Sequence, residues 1–322
     1  CELDVTYCNC HKDKIERPKE DENPFNDLKI SDWKILDDIS ERQLCQVCNK
    51  SRKYFCYNCY VPVPDLQDRV PKVKLPVKID IIKHSREIDG KSTAAHAAVL
   101  APEDVNIYTY PCIPDYGPSE RVVLIFPGKN AVSVENYILS SRVDREETEE
   151  PRPKRLNSGS NLPITRAVFI DSTWNQSRGI YKDQRLRDLP CVILQSRISQ
   201  FWRHQNGSPR WYLATIEAIH QFLLELHTAV WKLSSGGFNI TNNTDDIEKR
   251  TVPSSADKCD NVDENVTKNS KKEPSTFSNV DTMCSPYSGE YDNLLFFFRY
   301  MYSKIHTLYD HEDLKAYKRP LT

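Results

Sequence analysis

Glycine is scarce, with nine in 322 residues. No Gly-x-Gly and no Gly-x-x-x-x-Gly-Lys occurs, which removes the glycine-rich dinucleotide fingerprint and the P-loop. An adenosine-bearing ligand must then be held by another kind of loop. Long apolar runs are lacking too. The densest cluster, Leu294 to Phe298, is far short of the roughly 20 residues a bilayer span needs. Residues Cys1 to Glu20 are polar and charged, without the apolar centre of a signal peptide. The chain opens on cysteine, so a fragment of an intracellular protein is the expectation. Excess positive charge is also missing: 44 Lys and Arg stand against 46 Asp and Glu, a net charge of −2. Any nucleic-acid site must therefore be a local patch. A hydrophobic content of 39% with 28% charged residues suits a soluble protein carrying some disordered segments.

Cysteine is what the chain has in a telling arrangement. Eleven occur, an odd number, and four are clustered as Cys45-Gln-Val-Cys48 and Cys56-Tyr-Asn-Cys59. Two C-x-x-C pairs seven residues apart are what a tetrahedral zinc knuckle needs, with Asn49 to Phe55 as a hairpin between them. Four thiolates leave no open coordination position, so the role expected of Cys45, Cys48, Cys56 and Cys59 is structural. Buried free thiols or a redox C-x-x-C are the competing readings, and a redox site usually has one pair. Cys8, Cys10 and His11 lack a second ligand pair nearby. The expected organisation is a largely disordered tail over 1–40, a knuckle over 41–64 and one catalytic domain over 65–322.

Periodicity gives the rest. Ile30, Trp33, Leu36 and Ile39 predict a short helix over 30–41, with Ser31 or Asp32 as cap. Strands are predicted over 73–82, 105–110, 121–126, 167–170 and 190–194, and several are continuous apolar runs of the kind buried in parallel sheets. Helices are predicted over 91–100 (Ser92 or Thr93 as cap), from about 133, over 216–233 (Thr215 as cap) and over 290–309. Residues 141–161 read as a charged loop and 236–288 as a disordered insertion within one domain. The fold class is α/β with a mostly parallel sheet.

Local charge offers several candidate contacts. Lys72, Lys74, Lys78, Lys83, His84, Arg86 and Lys91 make either a phosphate-contacting face or a solvated strand edge. Pro151-Arg-Pro-Lys-Arg155 reads as a nuclear import signal or an RNA contact. Arg197, Arg203, His204 and Arg210 beside Phe201 and Trp202 suit a stacked base, or a packed loop with salt bridges.

The candidate site is the run Ala167-Val-Phe-Ile-Asp171-Ser-Thr-Trp174, a buried strand leading into a carboxylate, two hydroxyls and an indole. Ligands of open α/β sheets sit at the carboxyl ends of strands. Asp, Ser and Thr are also good helix caps, and Trp174 is as easily core, so both readings stand at this point. Two further loops, Pro127-Gly128 and the region after Leu194, end strands in the same way.

At Asp171-Ser-Thr-Trp174 the sequence resembles the DTW-domain family. The likeness extends to the paired cysteines, Lys91-Ser-Thr-Ala94, Leu124-Ile-Phe-Pro-Gly128, Leu213-Ala-Thr-Ile-Glu-Ala218, the terminal aromatic helix and Lys318-Arg-Pro320. It covers about residues 40–235 and 290–320, and leaves 141–161 and 236–288 without a counterpart. It implies a SPOUT-like knotted fold and transfer of the 3-amino-3-carboxypropyl group of S-adenosylmethionine to N3 of a uridine in the tRNA D loop, at position 20. Methylthioadenosine would be the by-product and the nucleus the place of residence, with no membrane role. Carried onto this chain, the cofactor set is Phe126, Pro127, Gly128, Asp171, Ser172, Thr173, Trp174, Gln195 and Thr215, and Asp171 is the catalytic residue. A carboxylate is a poor base for an imide unless burial raises its pKa, so orienting the N–H is the other role open to Asp171. An RNA methyltransferase on the same fold, or a non-catalytic zinc-knuckle adaptor for RNA or protein, are the alternatives.

Overall fold

The structure is a computed structural model, and it describes residues 24–146, 162–205, 207–235, 283, 285–310 and 313–319. Two short antiparallel ribbons come first: β1 (Gln43–Leu44) with β2 (Ser51–Arg52), and β3 (Phe55–Cys56) with β4 (Val61–Pro62). There follow β5 (Lys78–Lys83), α1 (Ala94–Leu100), β6 (Val105–Thr109), β7 (Val122–Ile125), β8 (Val132–Ser133) and α2 (Val134–Glu146). Then come β9 (Arg166–Asp171), α3 (Trp174–Tyr181), α4 (Gln184–Arg187), β10 (Cys191–Ile193), α5 (Thr215–Ser234) and α6 (Phe296–Leu308).

Strands β5 to β10 form one sheet in the order β6-β5-β9-β7-β10-β8, and every pairing in it is parallel. The expected α/β class with a parallel sheet is therefore what the chain adopts. Its strands read as continuous apolar runs because helices cover both faces. Ile79, Ile81, Val123, Ala167 and Phe169 belong to the larger core, with α1, α2, α5 and α6. Ile82, Val122, Leu124 and Val168 point the other way, onto Ile180 of α3 and Leu186 of α4. Strand β9 lies between β5 and β7, both earlier in the chain, and β10 lies between β7 and β8. The registers Lys83↔Asp171 and Leu124↔Val168 carry β9 to the carboxyl edge beside β5. Asp171 is thus the last residue of one of the two central strands.

Several boundaries differ from expectation, each for a local reason. The helix expected over 30–41 is a 3-10 turn, Trp33–Asp38, capped by Asp32, whose Oδ1 accepts the Lys34 N–H at 3.0 Å. Residues 24–40, grouped with the tail, pack instead: Phe25, Leu36 and Ile39 are buried. The strand expected from 73 begins at Lys78, since Pro76 has no N–H to give a ladder and the Leu75 N–H goes to Asp104 Oδ2 at 2.9 Å. Helix α2 runs on to Glu146, so the first residues of the expected loop 141–161 are helical. Helix α5 is capped one residue earlier than expected, at Ala214; Glu217 Oε2 accepts the Ala214 N–H at 2.8 Å, which frees the Thr215 hydroxyl. Residues 285–288, expected within the insertion, are held by His227, whose Nε2 lies 2.9 Å from Ser285 O. Met283, also within that insertion, is buried in the larger core; the other residues of both insertions, Cys8, Cys10, His11 and Pro151 to Arg155 lie outside the described residues.

The C-terminal part of the chain is tied on by one carboxylate. Asp292, 1% exposed, accepts bonds from the Lys29 N–H (2.8 Å), the Tyr287 hydroxyl (2.6 Å) and His220 Nε2 of α5 (2.9 Å). Burial alone would raise its pKa, but the bonds from His220, Tyr287 and Lys29 win and hold it below the usual carboxylate range. Losing the carboxylate strands the buried His220 donor and unties the Lys29 N–H and the Tyr287 hydroxyl. Asp292→Ala should cost about 2–3 kcal/mol of folding stability, the scale of leaving a buried donor to a charged group unsatisfied, read as a lower midpoint in urea denaturation; a shift below about 1 kcal/mol would contradict this role.

Candidate active site at the carboxyl edge of the sheet

Asp171 is buried at 6% exposure, and each of its oxygens has a hydroxyl donor. Ser92 Oγ, just before α1, donates to Oδ2 at 2.6 Å. Thr215 Oγ1, the first residue of α5, donates to Oδ1 at 2.5 Å. The Asp171 carbonyl takes the His84 N–H at 3.0 Å, and the Thr93 hydroxyl oxygen accepts the Ile216 N–H at 3.2 Å. One carboxylate thereby joins β9, the entry to α1 and the entry to α5. Burial pushes its pKa up, the two hydroxyls and Lys83 pull it back, and the net shift is upward. Nearby Glu87 is likewise raised, by burial and then by the Asp171 charge. Lys83 is paired with Asp89.

The helix-cap reading belongs to Thr173, the N-cap of α3, whose backbone N–H goes to Gln176 Oε1 at 3.2 Å. It does not belong to Asp171. Trp174 is half-buried and sits on the rim, its ring 4.1 Å from that of Tyr212 and 6.3 Å from that of Phe126. Phe126 is stacked on Tyr181 at 4.4 Å. The turn after β7 needs its glycine: a Cβ on Gly128 would meet Cys191 Sγ and Tyr181 Oη at 2.9 Å. Of the residues singled out in sequence, Phe126 and Trp174 come together, as do Asp171 and Thr215. Pro127, Ser172 and Thr173 line the same edge, and Gln195 follows β10 with its N–H on Glu225 Oε1 at 2.9 Å. Ser92 as the partner of Asp171, Tyr212 and His96 were missed. Nothing local announces a hydroxyl 79 residues away.

The loop from 194 to 214 returns from β10 to α5 across this edge. Buried Glu217 pins it, accepting from Ser199 Oγ at 2.6 Å and the Gln200 N–H at 2.7 Å. Its basic and aromatic residues divide in consequence. Phe201 and Trp202 pack on Phe298 of α6, Arg197 reaches Gln221 Oε1 at 3.3 Å, and Arg203 lies near Glu87, its pKa lowered by burial and partly restored by that charge. The lysines at the start of β5 make a solvated edge: Lys74 and Lys78 pair with Asp104 at 3.1 and 2.8 Å.

The four paired cysteines do converge. Their sulfurs lie within 4.8 Å of one another, a cluster that can hold a metal ion, and Cys48 and Cys56 are 3.6 Å apart. Four sulfurs at about 2.3 Å from a tetrahedral zinc would be roughly 3.8 Å apart. The two turns repeat one another: Asn49 and Tyr60 both have φ near +57° (56° and 57°) and donate their N–H to Cys45 O and Cys56 O. Such a φ is easy for Asn and costly for Tyr, so the Cys56–Tyr60 turn is held against a local penalty. Instead of the one hairpin expected between the pairs, each pair has its own ribbon. Cys56, buried but facing the N–H groups of Asn58 and Cys59, falls to about 6, and burial with the neighbouring sulfurs pushes Cys59 up to about 12.

The knuckle is docked on the loop that leads to Ser92. Asn58 Nδ2 donates to Asp89 Oδ2 at 2.8 Å, Arg52 holds Asn58 Oδ1 at 2.6 Å, and Tyr57 lies over Gly90. Phe55 meets the rings of Phe297 (4.6 Å) and His96 (5.5 Å).

A parallel α/β sheet that gathers Asp171 and the loops after β7 and β10 at its carboxyl edge, with a cluster of four cysteines set against one of its loops, defines an α/β protein with a candidate ligand site at that edge. The chain belongs to the DTW-domain family, whose domain model matches residues 53–306. It is similar to the tRNA-uridine aminocarboxypropyltransferase 1 of Xenopus tropicalis, 37% identical over 303 residues that span 87% of this chain and 85% of that protein. The proteins of the same name from Mus musculus and Homo sapiens are each 37% identical over 308 residues, 88% of this chain and 84% of theirs. No solved structure matches. No helix among the described residues is long and apolar enough to cross a membrane.

His96 yields a pH dependence. Buried among aromatic rings and near the Arg203 charge, its imidazole falls from 6.5 to about 3. Below about pH 6.5 the unfolded chain takes up a proton that folded His96 refuses, so stability is full above that pH and declines as pH falls toward 3. The decline attributable to this one site approaches about 1.4 kcal/mol per pH unit. Chemical denaturation between pH 7 and 5 should show a shallower slope for His96→Phe, and equal slopes would refute the assignment.

Proposed function

We infer that this chain is a tRNA-uridine aminocarboxypropyltransferase, and we propose that its donor is S-adenosylmethionine and its acceptor N3 of a D-loop uridine, at position 20. One observation carries this: likeness to the named transferases runs through 87–88% of the chain, with Asp171-Ser-Thr-Trp174 intact at the carboxyl edge of the sheet. The insertion of β9 and β10 between earlier strands supports a knotted, SPOUT-like arrangement of the cofactor loops. Nuclear residence belongs to the same proposal.

The residues at the edge fit such a donor. Half-buried Trp174 and Tyr212 offer aromatic faces to a purine, beside the loops at Phe126, Pro127, Gly128, Ser172, Thr173 and Gln195. S-adenosylmethionine supplies an electrophilic carbon on sulfur, and the carbon turned toward the acceptor decides which group moves. The uridine imide must lose its N3 proton, and Asp171 is the carboxylate placed to accept or orient it. Its raised pKa brings it closer to the strength a base needs. Since both oxygens are already engaged by Ser92 and Thr215, positioning is a large part of its role, and Thr215 serves Asp171 before it serves the donor.

Incubating the protein with unmodified tRNA and S-adenosylmethionine labelled in the carboxyl or the methyl carbon tests the reading. Carboxyl label should enter the RNA and methyl label should not; methyl label alone would make the protein a methyltransferase, and neither would leave a binding adaptor. Asp171→Asn should lower kcat by about 100-fold or more, the scale of acid–base contributions, with donor binding retained. Full activity in that variant would remove the catalytic role.

We further propose that Cys45, Cys48, Cys56 and Cys59 hold one structural zinc, on the strength of the converged sulfurs. Elemental analysis should find about one zinc per chain, lost in Cys45→Ser with Cys48→Ser, and chelation should lower the melting temperature. A metal-free protein that melts at an unchanged temperature would refute it.

A further inference from the structure

A cavity of about 190 Å³ lies where the knuckle, the 89–93 loop, the 201–203 segment and α6 meet. We propose that it seats the acceptor base, with an unstacked uracil of the tRNA entering between Tyr57 and Trp202 and reaching Ser92 at the inner end. This rests on the transferase reading above and adds to it the place of the acceptor.

Size argues first. Pockets for drug-sized ligands run to about 300–1,000 Å³, so this cavity suits a single ring and not a nucleoside donor. The lining argues next. Phe55 and Tyr57 of the knuckle face Phe201 and Trp202 of the returning loop, and aromatic faces are how proteins hold unstacked RNA bases. Arg203, which forms no salt bridge among the described residues, and exposed Lys91 are at the same cavity, where the backbone phosphates of an inserted nucleotide would bring negative charge. His96 lines it as well, buried, with no hydrogen-bond partner for Nδ1. An uncharged imidazole can both donate and accept, as the imide edge of uracil does.

Ser92 connects this cavity to the chemistry. Its hydroxyl oxygen takes the Ala94 N–H at 3.1 Å and its proton goes to Asp171 Oδ2 at 2.6 Å. A second lone pair remains for the uracil N3–H. In the reaction that proton passes to Ser92 Oγ as the Ser92 proton passes to Asp171 Oδ2. The N3 electron pair forms the new N–C bond to the aminocarboxypropyl carbon of the donor. The C–S bond breaks with its electron pair going to sulfur, and methylthioadenosine leaves.

Two measurements test this on the full chain with full-length tRNA. Trp202→Ala and Tyr57→Ala should each lower kcat/KM for tRNA by roughly tenfold or more, the scale of one lost base stack. S-adenosylmethionine affinity by equilibrium dialysis and bound metal should stay as in the wild type, and Trp202→Phe, which keeps the ring packed on Phe298, should restore most of the activity. Ser92→Ala should lower kcat with KM for tRNA unchanged, and Ser92→Thr should recover part of it. A transcript with 4-thiouridine at the acceptor position should crosslink to Tyr57 or Trp202 on irradiation. Wild-type transfer with undiminished Trp202→Ala and Tyr57→Ala variants, or a crosslink at 126–131 or 211–212, overturns the assignment. Should the wild type transfer no label, the transferase reading fails separately, and the crosslink alone decides whether this cavity holds a base.

Discussion

The two hydroxyl bonds to Asp171 are the constraint on which the site depends. A buried carboxylate is tolerable only when its oxygens are satisfied, and here the partners come from two neighbouring helix entries, Ser92 before α1 and Thr215 at the start of α5. Both helix entries are tied to the sheet edge by the same residue that is proposed to act on the acceptor. The arrangement explains why α5 takes its cap from Ala214 and Glu217. A threonine cannot cap its own helix and also serve a carboxylate on the neighbouring strand. It also places the carboxylate under tension between structure and reactivity, because the bonds that fix it compete with any proton it receives.

Around that point the molecule is layered by charge and by aromatic surface. The amino end of β5 is occupied by lysines neutralised on Asp104, and the carboxyl end carries Lys83, Glu87, Asp89 and Arg203 close to Asp171. The aromatic groups divide in two: Phe126, Trp174, Tyr181 and Tyr212 on the β7 side, and Phe55, Tyr57, Phe201 and Trp202 beside the knuckle. Loop 194–214 contributes to both, which is why pinning it by Glu217 matters. An open carboxyl edge would offer one broad cleft; the returning loop partitions it.

Legibility in the sequence followed range. Short-range patterns were readable: the C-x-x-C spacing placed four sulfurs together, and the apolar runs at 121–126 and 167–170 marked strands of a parallel sheet. Asp171 at a strand end was readable too, because the apolar run stops there. Its partners were not, since Ser92 and Thr215 lie 79 and 44 residues away and each looked like a helix cap. The 3-10 turn at Trp33–Asp38 and the late start of β5 were lost to local details, a cap geometry and a proline. Trp174 shows the limit most plainly. Composition could not separate a core indole from a rim indole, and only the positions of Phe126 and Tyr212 decide it. The candidate cofactor loops were legible as strand ends, and their activity and substrate came from likeness to relatives.

The strand order has a temporal side. Strand β9, which bears Asp171, fits between β5 and β7, and β10 fits between β7 and β8; neither has a slot until its flanking neighbours, made earlier, have left a gap. Long-range parallel pairings of this kind close slowly, because chain entropy is lost before contacts form. The Asp171 carboxylate therefore reaches its place only once β5 and β7 are present, and it gains its Thr215 partner later still. Until β9 and β10 are in place, only β5 and β6 of the six strands have a neighbour to pair with, so the carboxyl edge is complete only when the sheet is.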